Sequence, residues 1–269
     1  MLTKLIQAVV IIILCLGSSI TYADYLCSDA NNDGKINVSD AVYLINFVFS
    51  QGPVPYRYCC EDCPYMVTDV DGNTYKTVFI NDKCWMLENL KVESYRNGDP
   101  IPNISDVGEW SGLLTGAYCD YDNNSATGNT YGHLYNWYAI NDSRGLAPEG
   151  WHVATDEEFK QLEMYLGMSQ TNADAIDWRG ISEGGKLKET GTAHWQAPNV
   201  GATNESGFAA LPNGYRSGTG IYQTLYYYGF IWTPSIGGDY YRSLGYNHAD
   251  IKRAILSKKS GLAIRCVKD

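Results

Sequence analysis

The chain has 269 residues, of which 45% are hydrophobic and 13% aromatic, and its formal net charge at pH 7 is −10. This composition is typical of a folded protein, and the length allows one large domain or a large domain with a small one. The excess of acid, with no cluster of Lys and Arg, argues against nucleic acid or an anionic membrane as a partner, because both are bound through basic residues.

The first 23 residues have the pattern of a secretory signal peptide. One Lys precedes an apolar run from Leu5 to Leu16, and small and polar residues follow as far as Ala23. We expect cleavage after Ala23 and a mature protein that is secreted or held at the cell surface. The apolar run is shorter than the roughly 20 residues that a spanning helix needs, so no membrane span is expected after signal removal.

The cysteines predict disulfides. Cys15 leaves with the signal and an odd number remains, so one thiol is free or pairs with another chain. Disulfides are the simplest interpretation in an oxidising compartment, while the Cys-x-x-Cys spacing at Cys60 and Cys63 leaves a zinc or redox motif as an alternative. The disulfide candidates are Cys27, Cys59, Cys60, Cys63, Cys84, Cys119 and Cys266.

Changes in composition divide the mature chain into three parts. Residues 24–56 hold an acidic loop and an apolar helix, residues 57–66 form a Cys-rich junction, and residues 67–269 form a large unit. In the large unit, short strand-like runs such as residues 74–80 and 83–92 alternate with Gly, Asn and Asp turns. We therefore predict an α+β fold, with a few helices on an irregular antiparallel sheet.

One helix of the large unit is predicted from its local signals. Thr155 is a good N-cap, Glu158 completes a capping box, and Gly167 is placed to end the helix. Apolar residues recur at helical spacing and are expected to face the core. They are Phe159, Leu162, Tyr165 and Leu166.

Residues 29–40 have the oxygen-donor pattern of a twelve-residue calcium loop. Side chains at positions 1, 3 and 5 point at one centre, Gly34 at position 6 permits the sharp turn, position 7 gives a carbonyl, and position 12 closes the shell from the next helix. The predicted Ca²⁺ ligands are Asp29, Asn31, Asp33, Lys35, Asn37 and Asp40. The alternative is a polar turn before a helix that Ser39 or Asp40 caps.

The loop ends with Asp rather than Glu and continues as "INVSDAVYLINFVF", and it thus resembles a type I dockerin repeat over about residues 28–52. Dockerins pair two such repeats and dock onto cohesin modules of polysaccharide-degrading assemblies, so the resemblance implies an assembly role. No second repeat is found. Residues 67–78 fail at both ends, and residues 120–131 are interpreted as a turn, with a weak second calcium site as the alternative.

The helix after the loop is apolar on more than one face, so we expect it to be buried against the large unit, another chain or an N-terminal segment. We hypothesise that Cys27 pairs with one of Cys59, Cys60 and Cys63 and closes this unit. The apolar residues are Ala41, Val42, Leu44, Ile45, Phe47, Val48 and Phe49.

The large unit resembles the Fibrobacter succinogenes major paralogous domain, a family of exported bacterial surface proteins. The stretches that carry the resemblance run in order along residues 67–269 and include "CWMLENLKV", "YGHLYNWYAIND", "APEGWHVATDEEFKQLEMYLG", "GATNESGFAALPNGYR" and "GLAIRCVKD". The family is similar to the wider C-type-lectin-like fold, which implies an irregular α+β domain.

The chain departs from this family in its cysteines. Many relatives carry Cys where this chain has Ala147, and often Gln where it has Cys84. The resemblance therefore implies that Cys266 has lost its usual partner and pairs with Cys84 or Cys119.

Calcium-dependent lectins of this fold use a Glu-Pro-Asn loop, and the nearest stretches here, residues 101–103 and 197–199, lack the acid. Sugar binding through calcium is therefore not expected. The 22 Tyr and 7 Trp offer stacking surfaces for a glycan, with residues 225–230 and 239–246 as the candidate loops, although aromatic residues also build cores. The sequence does not identify the residues that would contact a ligand.

No HExxH, GxSxG or Walker motif occurs, so we expect a binding or structural role rather than catalysis. The preferred prediction is a secreted, calcium-binding surface or extracellular protein. The alternatives are a dockerin-type component of a polysaccharide-degrading or glycan-binding assembly and a self-assembling filament or lattice subunit. The corresponding partners are a glycan, a cohesin-like module or further copies of the chain.

Overall fold

The structure is a computed structural model, and it describes residues 37–50, 63–235 and 238–269. These residues fall into two units that meet in sequence between Tyr65 and Met66. Within the described ranges, no helix is long and apolar enough to cross a membrane.

Helix α1 (Val38–Ser50) belongs to the first unit, and a reciprocal cap fixes its start. Asn37 Oδ1 accepts the Ser39 N–H at 2.7 Å, and Asp40 Oδ2 accepts the Asn37 N–H at 2.8 Å. This is a capping box in which Asn37 is the N-cap and Asp40 reaches back from the first turn. A cap formed by Ser39 or Asp40 is therefore wrong, because the helix begins one residue before Ser39.

Within the single chain, Val42 and Ile45 of α1 do not show the expected burial, and their burial against another chain stays a prediction. Both are exposed, and so is Val38. The three residues are spaced by four and three positions, so they form one stripe along the helix. A helix that is apolar on more than one face cannot bury every face against one neighbour, which explains why a stripe remains exposed.

The large unit is built mainly from antiparallel strands, as predicted. Its main sheet consists of β1 (Met66–Thr68), β2 (Thr74–Ile80), β3 (Lys83–Met86), β6 (Trp151–Val153) and β13 (Cys266–Lys268). The second sheet consists of β7 (Asp177–Arg179), β10 (Tyr228–Ser235), β11 (Gly238–Gly245) and β12 (Ile251–Ile255). The spatial order of the strands is β1-β2-β3-β13-β6 in the main sheet and β10-β11-β12-β7 in the second.

Short strand pairs and short helices fill the remaining segments. The pairs are β4 (Tyr118–Cys119) with β5 (Leu134–Tyr135), and β8 (Tyr215–Arg216) with β9 (Tyr222–Gln223). The helices are α2 (Val107–Gly112), α3 (Ser125–Tyr131), α4 (Trp137–Ile140), α5 (Asp156–Tyr165), α6 (Gln170–Asp174) and α7 (Glu183–Leu187). The large unit is thus a mixed helix and sheet domain.

Helix α5 confirms the local prediction. The Glu158 N–H donates to Thr155 Oγ1 at 3.3 Å, and the Glu158 carboxylate accepts the Thr155 N–H at 2.9 Å. Phe159 and Leu162 are buried, but Tyr165 is exposed, and the position that faces inward beside Leu162 is Glu163. The prediction that Tyr165 faces the core is wrong. Glu163 faces inward instead, because its carboxylate pairs with the buried Arg179 and Arg242 of the second sheet.

The main core lies around Trp85 of β3. Its indole meets the rings of Phe159 and Phe208 edge-on, with centroids 5.2 and 5.7 Å away. Strand β13 lies between β3 and β6, where Val267 is opposite both Trp85 and His152. This packing holds residues 87–92 beside β3, with Leu90 and Val92 buried, and residues 87–91 form one side of a cleft.

Candidate functional site

A cleft of about 370 Å³ lies beside the start of β2 and the end of α3. Four segments line it: the start of β2, residues 87–91, the last turn of α3 with Gly132, and parts of residues 189–211. We call it the polar cleft. Its lining residues are Thr74, Tyr75, Leu87, Glu88, Asn89, Lys91, Asn129, Thr130, Gly132, Glu189, Ala209 and Leu211.

The floor of the polar cleft is fixed by buried hydrogen bonds. Asn89 Nδ2 donates to the Tyr131 carbonyl at 2.7 Å, and Asn89 Oδ1 accepts from Arg265 Nε at 2.6 Å. Gly132 has φ +80°, and a Cβ there would lie 2.5 Å from the Asn89 Cβ, so only glycine permits this close approach. Burial lowers the pKa of Arg265 to about 9. The floor is therefore rigid, with a cation beneath it.

One wall carries a carboxylate that a neighbouring side chain holds in place. The two Glu189 oxygens lie 2.9 and 3.0 Å from His194 Nδ1. Tyr131 meets the His194 ring edge-on at 5.8 Å between centroids, and Tyr226 meets Tyr131 at 6.1 Å. We call Tyr131, His194 and Tyr226 the aromatic rim; none of the three is a lining residue of the cleft, and they connect to it through Glu189. Burial raises the pKa of Tyr131 to about 12, so its hydroxyl remains protonated at neutral pH.

The loop that presents Tyr226 has an unusual backbone. Thr224 and Tyr226 have φ values of +64° and +71°, a region that β-branched and bulky residues rarely adopt. Hydrogen bonds hold the loop: the Tyr226 N–H donates to the Pro212 carbonyl at 3.0 Å, and the Gln196 N–H donates to the Tyr226 carbonyl at 2.8 Å. Strain of this kind clusters at binding sites, where the surrounding structure maintains it.

The two loops predicted from their aromatic content behave differently. Residues 225–230 supply Tyr226, whose side chain is 48% exposed at the aromatic rim. Residues 239–246 lie mostly in β11, where Tyr241 is buried against the second sheet's core. The second predicted loop is thus a strand whose later residues are buried.

Residues 78–268, well over half of the chain, match the Fibrobacter succinogenes major domain. The chain belongs to this family. No curated protein and no solved structure gives a significant match to the chain. The family match covers three of the four segments that line the polar cleft. The fourth, the start of β2, lies before the matched residues.

Of the predicted calcium ligands, the structure places Asn37 and Asp40. They lie together at the start of α1, outside the Fibrobacter succinogenes major domain, and Asp40 is only 3% exposed. Asp29, Asn31, Asp33 and Lys35 lie outside the described residues. In residues 37–50, 63–235 and 238–269, no group of three or more His, Cys, Asp or Glu side chains is arranged to hold a metal ion.

The two acidic stretches rejected as second calcium loops are turns of the large unit. Asp69 Oδ1 accepts the N–H groups of Asp71 and Asn73 at 3.0 and 2.9 Å and closes the turn between β1 and β2. Asp120 Oδ1 lies 2.6 Å from His133 Nδ1, and Asn124 caps α3. These carboxylates are thus hydrogen-bonded within the large unit.

Two cysteines of the large unit are not in disulfides. Cys119 and Cys266 are free and buried, and Cys63 forms a disulfide with Cys84. The predicted pairing of Cys266 with Cys84 or Cys119 is therefore wrong. Burial raises the pKa of Cys119 to about 11 and raises that of Cys266 further, so both thiols are poor nucleophiles.

Strand register explains why Cys266 and Cys84 do not pair. Val267 is opposite Trp85 in the antiparallel pair β13 and β3, so Cys266 and Cys84 lie diagonally across that pair. Diagonal neighbours are about 7 Å apart, whereas a disulfide needs Cβ atoms about 4 Å apart.

The disulfide also limits the pairing predicted for the junction. Because Cys63 is already bonded, it cannot pair with Cys27, and it has no thiolate to offer a metal. Cys27, Cys59 and Cys60 lie outside the described residues, so a bond between Cys27 and either of the other two stays a prediction.

Proposed function

We propose that the protein is an exported, calcium-binding protein of the bacterial surface or extracellular space, with a binding role. The observation that carries the calcium assignment is the position of Asp40. A closing acid at position 12 must lie in the first helical turn and reach back over the loop. Asp40 has this position, because its carboxylate accepts the N–H of Asn37, the residue at position 9. The predicted signal peptide supports export.

The large unit supplies the binding surface in this proposal. Its polar cleft, with a floor held by buried hydrogen bonds, is the kind of concave site that takes a small ligand. We also propose that this unit has a C-type-lectin-like fold. Its short antiparallel strands and long irregular segments support that assignment, together with the resemblance of its sequence.

Calcium binding is tested by calorimetry and by thermal unfolding with and without Ca²⁺. Asp29→Ala removes a predicted ligand, and Asp40→Asn removes a charge while it keeps an oxygen that can accept the Asn37 N–H. We expect the wild type to bind Ca²⁺ and to be stabilised by about 2.7 kcal/mol at a hundredfold excess over Kd, and both variants to lose this effect. Without Ca²⁺, Asp40→Asn should unfold close to the wild type, because the capping box is kept.

A matched control comes from the large unit. Asp106 caps α2 by accepting the Glu109 N–H at 2.7 Å, so Asp106→Asn makes the same chemical change at a cap outside the loop. Its calcium response should equal that of the wild type. If the wild type, Asp29→Ala and Asp40→Asn all titrate alike, the loop is a polar turn and the calcium assignment is wrong.

A dockerin-type role is the second candidate, and the exposed stripe of Val38, Val42 and Ile45 favours it. An apolar stripe on a helix next to a calcium loop offers a surface for a partner module. Retention on an immobilised cohesin module would support this role if Val42→Asp abolished retention and left calcium binding intact.

A further inference from the structure

We infer that the polar cleft binds a neutral saccharide of one or two rings. This inference deepens the binding role proposed above and is independent of the calcium loop. It rests on the chemistry of the lining, the shape of the cleft and the way the lining is held.

The lining offers donors and acceptors from three sides. Thr74, Glu88 and Asn129 are exposed residues of the lining and supply a hydroxyl, a carboxylate and an amide, and Glu189 supplies a second carboxylate. A sugar hydroxyl both donates and accepts, so it can pair with each of these groups. An apolar ligand would leave them unpaired at a cost in free energy.

The charges at the cleft balance. Two carboxylates, Glu88 and Glu189, line it together with one ammonium, Lys91, and the guanidinium of Arg265 lies beneath the floor, bonded to Asn89. An anionic ligand would meet the carboxylates, and a cationic ligand would meet Lys91. A neutral polyhydroxylated ligand avoids both repulsions, and the charged groups strengthen its hydrogen bonds.

The cleft also has apolar surface for the C–H faces of a sugar ring. Leu87, Ala209 and Leu211 contribute to the lining. The volume of about 370 Å³ is at the lower end for ligand pockets, so it suits one or two rings rather than a long chain held along its whole length.

The recognition groups are held before any ligand arrives. His194 fixes the Glu189 carboxylate, and both ends of the Asn89 amide are hydrogen-bonded in the floor. Side chains that are already ordered lose little entropy on binding, which favours affinity for a small polar ligand.

The test titrates the full chain with cellobiose, maltose, lactose and xylobiose, each to about 10 mM, a range that detects dissociation constants near 1 mM. Glucuronic acid and glucosamine serve as charged comparators. We expect at least one neutral disaccharide to bind. Glu189→Gln and Asn129→Ala should weaken its binding about tenfold to a hundredfold, because each removes a hydrogen bond to the ligand.

Each variant has a matched control outside the cleft. Glu149→Gln and Asn172→Ala change exposed residues of the same kind and should leave the dissociation constant unchanged. Asn129 is exposed on α3, so its variant keeps the test decisive even if Glu189→Gln unfolds the protein.

Three results would overturn the inference: no neutral disaccharide binds, the cleft variants bind as the wild type does, or a charged comparator binds more tightly than every neutral sugar. The calcium proposal fails separately. Asp29→Ala should bind the sugar as the wild type does, so saccharide binding that survives the loss of calcium binding supports the cleft assignment.

Discussion

Lys188 shows how a single charged residue joins distant loops. Its side chain is fully buried, and the ammonium donates to the carbonyls of Val200, Gly245 and His248 at 2.9, 2.8 and 2.8 Å. All three donors of the ammonium are used. Two distant chain segments, one at Val200 and one at residues 245–248, are thus held by one nitrogen atom.

Replacing Lys188 by Met should lower the free energy of unfolding by about 3 kcal/mol, because three buried carbonyls lose their donor while the side chain keeps its length. Urea denaturation measures the change. Lys76→Met, at an exposed lysine of β2, is the control and should unfold within about 0.5 kcal/mol of the wild type. Equal midpoints for the two variants would show that Lys188 does not hold these loops.

At the scale of one element, the start of α5 is an ion-pair centre as well as a cap. His152 Nε2 lies 2.9 Å from Glu158 Oε2, and His152 Nδ1 lies 2.6 Å from Asp269 Oδ1. The hydrogen bond to Glu158 raises the pKa of His152, against the effect of burial. Burial alone would raise the pKa of Glu158, but the bonds from His152, Thr155 and Lys83 outweigh it and lower this pKa to about 2.

These shifts predict a pH dependence. The raised pKa of His152 gives stability that is complete below the unfolded value of about 6.5 and is lost as pH rises through the folded pKa. The lowered pKa of Glu158 gives stability above about 4.5 that is lost as pH falls toward 2. The pair should therefore contribute most between these two values.

The measurement compares urea denaturation of the wild type and His152→Gln at pH of about 5.5 and about 8.5. The stability difference between them should be larger at the lower pH, although solvent screening of the half-exposed imidazole keeps it modest. His194→Gln, at a histidine paired with Glu189 on another element, separates this effect from general histidine titration. A difference that grows with pH would contradict the assignment.

For α5, contacts between residues close in the sequence could be predicted, and contacts with residues far away in the sequence could not. Its capping box was readable because Thr155 and Glu158 are three residues apart, and side chains at that spacing meet in any helix. Lys83 reaches the Glu158 carboxylate and Asp269 reaches His152 from far along the sequence, and no local sequence pattern predicts either contact. For the same reason the segment after β3 was predicted to continue as a strand, whereas the Leu90 N–H bonds the distant Ile264 carbonyl.

The whole large unit is joined by a buried charge network between α5 and the second sheet. Glu163 accepts from Arg179 Nη2 at 2.8 Å and Arg242 Nε at 2.7 Å, and Asp156 accepts from Arg242 and Arg253 at 2.6 to 2.8 Å. Two carboxylates therefore serve three arginines from three strands. The packing of α5 on this sheet depends on charges that no water screens.

Glu163→Gln should cost about 3 kcal/mol of unfolding free energy, because it leaves buried guanidinium charge without a counter-ion. Urea or thermal denaturation measures the loss. Glu157→Gln, on the exposed side of the same helix, is the matched control and should change little. A stabilised or unchanged Glu163→Gln protein would show that the network sets geometry alone.

The candidate site was less predictable than the fold. Aromatic content indicated Tyr226, but the polar cleft draws its lining from four segments, and the pairing of Glu189 with His194 follows from their loop rather than from a motif. Buried partners such as Arg265 beneath Asn89 are set by tertiary packing, which residue spacing does not encode. Strands with alternating burial, such as β2, are the part that sequence pattern predicts well.

The central place of β13 in the main sheet has a kinetic consequence. Val267 pairs with Trp85 across almost the whole length of the large unit, so the chain must close a very long loop before this strand adds any stability. Domains dominated by such non-local pairs fold in milliseconds to seconds, far more slowly than helical bundles. A chain that has not yet brought residues 266–268 between β3 and β6 has β1, β2 and β3 as a sheet with an open edge at β3, and β6 without its neighbour in that sheet. Because folding is slow and leaves such edges exposed, self-association is the main hazard before the sheet is complete.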